Sequence, residues 1–109
     1  MDHLRDVVRR VECVDFSQLA PLTIVRVRTH DSSYRFVVME GSGVYVQGGE
    51  LFPDAIPARF VAAWMGGGPV IDGWICQGFE IQLCAGGTCV KTSRVLAIAT
   101  ESARAAVLH

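Results

Sequence analysis

A chain of 109 residues, half of them hydrophobic, carries 10 basic and 11 acidic side chains and a formal charge of −1. That length fits one domain spanning residues 1–109, and the composition is too apolar and too weakly charged for a disordered chain. Balanced charge argues against a wholesale polyanion binder. Apolar runs broken by Gly, Pro or Arg leave no stretch suited to a membrane-spanning helix, so no membrane partner is expected. No apolar stretch follows Met1-Asp2-His3-Leu4-Arg5-Asp6 as it would in a secretory leader, and a cytoplasmic location is the corresponding expectation. Mean hydropathy is +0.33, high for a small domain whose large relative surface normally requires polar cover. The excess points to outer surface hidden against another subunit.

Residues 2–14 are expected to form an amphipathic helix. Leu4, Val7, Val8, Val11 and Val14 recur at helical spacing, Arg5, Asp6, Arg9 and Glu12 fill the other face, and Asp2 is placed to cap the N-terminus. The rival is a strand over residues 7–14, because adjacent β-branched valines disfavour a helix.

Residues 22–98 read as a β-rich core. Segments 23–29 and 34–40 form a hairpin around His30-Asp31-Ser32-Ser33, pairing Thr29 with Tyr34, Val27 with Phe36 and Val25 with Val38. Gly41-Ser42-Gly43 turns the chain into Val44-Tyr45-Val46, and Gln47-Gly48-Gly49 breaks it again. Two prolines exclude residues 50–57 from a central strand. Residues 59–65 are strand-like, with a short helix at Ala62-Ala63-Trp64 as the alternative. Gly66-Gly67-Gly68-Pro69 is the strongest break in the chain. Strands follow at 70–76, 79–84 and 89–98, the last two joined by a hairpin turn at Gly86-Gly87. Residues 100–109, rich in alanine, form a frayed helical tail. The expected fold is mainly β: a small antiparallel barrel of SH3-like or Sm-like size, half-open or closed, with the N-terminal helix over one end or face.

Three groups of side chains could carry function. Cys84 and Cys89 face each other across the Gly86-Gly87 hairpin at a non-hydrogen-bonded pair, where strands approach closest. They can be reduced thiols, a disulfide, or half of a metal site for which Cys13, Cys76 and His30 offer no evident third ligand. Arginine supplies nine of the ten basic residues. In the expected register Arg28 faces Arg35, with Arg26 diagonal to it, on the side away from Val27 and Phe36. Guanidinium forks in that arrangement suit phosphate, and Tyr34 or Tyr45 would offer a stacking face for nucleic acid. The bland alternative is a solvated sheet face relieved by Asp31, Glu40 or an acid on a neighbouring strand.

The third group is apolar. Strict alternation places Ile24, Val37 and Met39 on the outer face, opposite an inward set that includes Leu22, Val25, Phe36 and Ile98. Trp64, Met65 and Trp74 gather with Phe52, Phe60 and Val70 around the triple glycine. These are the candidate interface residues. His30, Asp31, Ser32 and Ser33 are turn formers whose side chains diverge, Asp54, Asp72 and Glu80 are scattered, and the glycine stretches lack the Lys and Ser/Thr of a phosphate loop. No catalytic residue, cofactor or metal is expected. The resulting expectation is a non-catalytic binding or assembly module that associates with itself or with another protein. The alternatives are a nucleic-acid-binding barrel using Arg26, Arg28 and Arg35, and a thiol redox or metal-binding protein using Cys84 and Cys89.

Overall fold

The computed structural model describes residues 7–40, 43–49, 52–65, 68–71 and 73–102. Eleven strands run through them: β1 (Val7–Val11), β2 (Cys13–Asp15), β3 (Ile24–Thr29), β4 (Ser33–Val38), β5 (Val44–Gly48), β6 (Phe52–Met65), β7 (Gly68–Ile71), β8 (Trp74–Cys76), β9 (Glu80–Ala85), β10 (Thr88–Lys91) and β11 (Val95–Ser102). A 3-10 turn, Phe16–Gln18, follows β2, capped by the Asp15 carboxylate, which accepts from the Ser17 amide. The main sheet is antiparallel in the order β1-β11-β3-β4-β5-β6-β9-β10, with β7 also beside β6, while β2 and β8 form a separate pair. Among the described residues no helix is long and apolar enough to cross a membrane.

The helix expected over residues 2–14 is corrected wherever it can be seen. Residues 7–11 pair with β11, from Val7 opposite Ser102 to Val11 opposite Ile98, and residues 13–15 pair with β8. A free side of β11 satisfies this segment's backbone groups, and adjacent valines suit a pleated surface better than a helix. Residues 2–6, with the Asp2 cap, lie outside the described residues. The expected helical tail is also corrected at its start, because Thr100, Glu101 and Ser102 belong to β11. Residues 103–109 lie outside the description, as do Gly41 and Ser42 of the turn before β5.

The β3–β4 hairpin forms, with its register shifted by two residues. Val25 faces Phe36, Arg26 faces Arg35 and Val27 faces Tyr34. The turn is a two-residue loop set one residue earlier than expected because Thr29 and Ser32 close it: the Thr29 amide donates to the Ser32 carbonyl at 2.7 Å, and the Ser32 amide donates to Thr29 Oγ1 at 3.0 Å. That leaves only His30 and Asp31 in the loop, whose amides donate to Arg94 O and Ser93 Oγ. A shift of two preserves every side chain's face.

Residues 52–57, excluded from a central strand on account of Pro53 and Pro57, open the 14-residue β6. This half pairs with β5 only, and β9 joins on the other side from Ala58 onward. The prolines therefore occupy a stretch that is an edge on one side, where a missing amide is tolerated. Residues 58–65 are strand, not helix.

No strand ladder closes the main sheet into a barrel among the described residues. Its far end nevertheless curls back toward β11: the Gly78 amide donates to Val95 O and the Val95 amide to Phe79 O, each at 2.8 Å. Inside the curl lies one apolar cluster built from Val14, Phe16, Val25, Val27, Phe36, Val38, Val44, Val46 and their neighbours on β8, β9 and β11. Phe36 is at its centre, edge-on to Phe16 with centroids 6.0 Å apart and stacked on Tyr34 at 6.2 Å. Leu22, expected inside, is 55% exposed. It adopts a φ of 71° where the chain turns into β3, which rotates its side chain out of the alternating pattern.

Gly48 shows why the break after β5 requires glycine. Its φ is +133°, and an added Cβ would collide with the backbone of Ser33 and lie 2.8 Å from Tyr34 Cα on the paired strand. Gly48→Ala is expected to cost about 2 kcal/mol or more, read as a lower urea midpoint with an unchanged slope.

Candidate anion-binding site

The shifted hairpin register sets the chemistry of the outer face. Across five strands the pairings run Arg10–Ala99–Arg26–Arg35–Gln47, and the neighbouring row on the same face runs Ala97–Arg28–Ser33. Adjacent strands lie about 4.8 Å apart and alternate residues about 7 Å apart along a strand. Arg26 and Arg35 are therefore direct cross-strand neighbours. Arg10 stands about 10 Å from Arg26, with only an alanine methyl between them. The result is a trough floored by Ala97 and Ala99, walled by Arg10 on one side and by Arg26 and Arg28 on the other, and closed by Arg35 and Gln47. Its volume is about 530 Å³, within the range of pockets that take small ligands.

Charge in this trough is only partly compensated. Arg26 Nε donates to Glu101 Oε1 at 3.2 Å, so the relieving acid comes from the neighbouring strand β11. Asp31 instead contacts His30 Nδ1 at 2.9 Å in the exposed turn. Among the described residues no carboxylate lies within ion-pairing distance of Arg10, Arg28 or Arg35. Like charges on directly opposed strands destabilise a sheet unless an anion relieves them. Three guanidiniums thus point into a shared trough with donor capacity to spare.

The two tyrosines fall on opposite sides. Tyr34 alternates with Phe36 and packs against Phe36 and Gly49 on the core side, half-buried at the margin of the trough. Tyr45 lies on the outer face, 37% exposed, opposite Val37. Half-buried Ile24 and Val37 face each other in the same row, which continues through Tyr45 to Pro57, with half-buried Met39 just past β4. Trp74 is half-buried on β8. Trp64 and Met65 are in β6, their side chains outside the described residues.

All four cysteines are bridged. Cys84 is bonded to Cys89 across the β9–β10 hairpin, in the expected register, with Gly86 and Gly87 at φ of 58° and 82° forming the turn. Cys13 is bonded to Cys76, joining β2 to β8. The helical spacing of residues 2–14 conceals this second bridge; with 13–15 as a strand, Cys13 faces Cys76 directly. Among the described residues no group of three or more His, Cys, Asp or Glu is arranged to hold a metal.

Arg10 was absent from the expected site for the same reason as Cys13, and Ala97 and Ala99 because a floor of small residues has no chemical signature. The available signal was the pair Val7-Val8 ahead of Arg9-Arg10, which favours a strand. No protein-family model matches the chain, and no curated protein or solved structure matches it significantly.

Proposed function

We propose that the protein is a non-catalytic binding module that takes a small multiply charged anion, such as an oligophosphate, in the arginine trough. The observation that carries this reading is the cross-strand row Arg10–Ala99–Arg26–Arg35 with Arg28 beside it, three of whose guanidiniums have no carboxylate within ion-pairing distance among the described residues. Arginine forks match phosphate and sulfate oxygens in pairs, and an alanine floor lets the anion approach all four. The aromatic residue lining the trough, Tyr34, is half-buried and stacked on Phe36. That favours a compact anion over single-stranded nucleic acid, which draws on base stacking for affinity. A half-open, barrel-like curl of the sheet, supported by the Gly78–Val95–Phe79 hydrogen bonds, would hold the strands in this order.

Tripolyphosphate titrated into the protein at low salt tests the proposal. Binding is expected to weaken about tenfold on Arg28→Ala and again on Arg35→Ala, each removing a charged hydrogen-bond donor, and to fall as salt is raised. Affinity unchanged by both substitutions would overturn it. Tighter binding of a single-stranded oligonucleotide, lost in the same variants, would identify the nucleic-acid alternative instead.

Self-association is the second reading, supported by the half-covered row Ile24–Val37–Tyr45–Pro57 beside the trough. Val37→Glu is expected to shift the light-scattering mass of a concentrated solution toward the monomer. A wild-type protein already monomeric at millimolar concentration would exclude it. Two disulfides support an oxidising compartment in place of the cytoplasm expected from the sequence.

A further inference from the structure

The two disulfides sit in opposite electrostatic surroundings. Arg59 on β6 is paired directly with Cys84 on β9, and Cys84 with Cys89 on β10, so guanidinium and bridge share one outer row. Cys89 and Arg59 are exposed and Cys84 is half-buried. They line a cleft of about 410 Å³ with Pro57, Gly86 and Gly87, and a Cβ at Gly87 would meet nothing within 4 Å. At the other bridge Cys76 is only 3% exposed, and the depression beside it is lined by Glu12.

We propose that Cys84–Cys89 is a thiol–disulfide exchange site for small anionic thiols, those carrying a carboxylate near the sulfur, and that Cys13–Cys76 is a structural bridge. This goes beyond the anion-binding reading and is independent of it. In the first step a thiolate attacks the exposed Cys89 Sγ. A mixed disulfide forms, the Cys84–Cys89 bond breaks, and its electron pair leaves on Cys84 as a thiolate beside Arg59. A second thiolate then attacks the small-molecule sulfur of the mixed disulfide, which releases Cys89 as a thiolate. The two small thiols are oxidised to their disulfide while the protein disulfide takes up two electrons, and two protons restore the cysteine thiols. The reverse sequence oxidises the pair.

Arg59 acts twice, attracting the anionic attacker and stabilising the departing Cys84 thiolate; a better-stabilised leaving thiolate departs faster. At the other bridge, attack on exposed Cys13 would expel Cys76 into apolar surroundings, with Glu12 repelling an anionic attacker. Exchange at Cys84–Cys89 is also reversible. After reduction, β9 remains paired to β6 and the Gly86-Gly87 turn persists, so the two thiols stay opposite each other.

Timed exposure of the folded protein to 3-mercaptopropionate or to cysteamine, followed by alkylation and peptide mass spectrometry, tests this. Cys84 and Cys89 are expected to be labelled while Cys13 and Cys76 remain bridged. Each thiol's rate is divided by its rate toward a small uncharged disulfide, which removes the difference in thiolate fraction and intrinsic nucleophilicity. On that scale the anionic thiol should be about fivefold faster than the cationic one. Arg59→Gln is expected to abolish that preference and Arg59→Lys to retain it. Tripolyphosphate binding should be unchanged in both variants, which separates failure here from failure of the trough reading. Earlier labelling of Cys13 and Cys76, or a thiol-charge preference that survives Arg59→Gln, would overturn the proposal. So would Cys84 and Cys89 found as free thiols that oxidised glutathione does not bridge.

Discussion

Phe36→Ala is expected to lower the stability of the folded chain by about 4 kcal/mol, the cost typical of truncating a fully buried aromatic. Phe36 is 0% exposed and touches both layers of the curl, meeting Phe16 from the turn after β2 and Tyr34 from its own strand. Truncation removes two aromatic contacts and leaves a cavity between segments that the backbone holds in place. Strands β3 and β5, paired on either side of β4, cannot move inward without breaking the ladders that position them. Against a total of about 5–15 kcal/mol for a domain of this kind, that loss is a large share. Urea denaturation followed by tryptophan fluorescence should show a much lower midpoint. A loss below about 1 kcal/mol would mean that Phe36 is not central to the core. Phe36→Leu, which fills most of the space, should recover more than half of the difference.

The second large effect is expected from the Cys13–Cys76 bridge. It spans 63 residues of sequence, and cross-linking a loop that long restricts the unfolded chain by about 4 kcal/mol. The Cys84–Cys89 bridge spans 5 residues and contributes about 2 kcal/mol by the same reasoning, less where the hairpin is already held by its turn. Cys13→Ala/Cys76→Ala should therefore lower the thermal midpoint substantially more than Cys84→Ala/Cys89→Ala. The long bridge also fastens β2 and β8, a pair with only three residues on each strand. Loss of that fastening frees Val14 and Ile75, both part of the core cluster. Equal thermal shifts for the two double variants would contradict this ranking.

Local chemistry made part of the fold legible. The two-glycine turn between β9 and β10 requires positive φ at both positions, and the expected pairing of Cys84 with Cys89 follows from it. Alternation assigned Val25, Val27, Phe36 and Val38 to the core and Arg26, Arg28 and Arg35 to the other face. The two-residue register error did not disturb these assignments, because side-chain direction repeats every second residue. The errors share a different origin. Residues 7–15 carry a pattern compatible with either a helix or a strand, and the free side of β11, distant in sequence, decides between them. The proline-containing start of β6 is a strand because β5 lies along one side, while among the described residues nothing pairs with it on the other until Ala58.

The sequence by itself determined the mainly antiparallel β character, the faces of β3 to β5, the Cys84–Cys89 pairing and the outward direction of three arginines. Each depends on backbone preferences or on two-residue periodicity within a short segment, and those are local quantities. Tertiary structure decided that Arg10 joins those arginines, that Ala97 and Ala99 lie between them, that Glu101 pairs with Arg26, and that Cys13 meets Cys76. All four results turn on which strands become neighbours. Neighbours are selected by the combined burial of residues far apart in the chain, and no short window of sequence contains that sum.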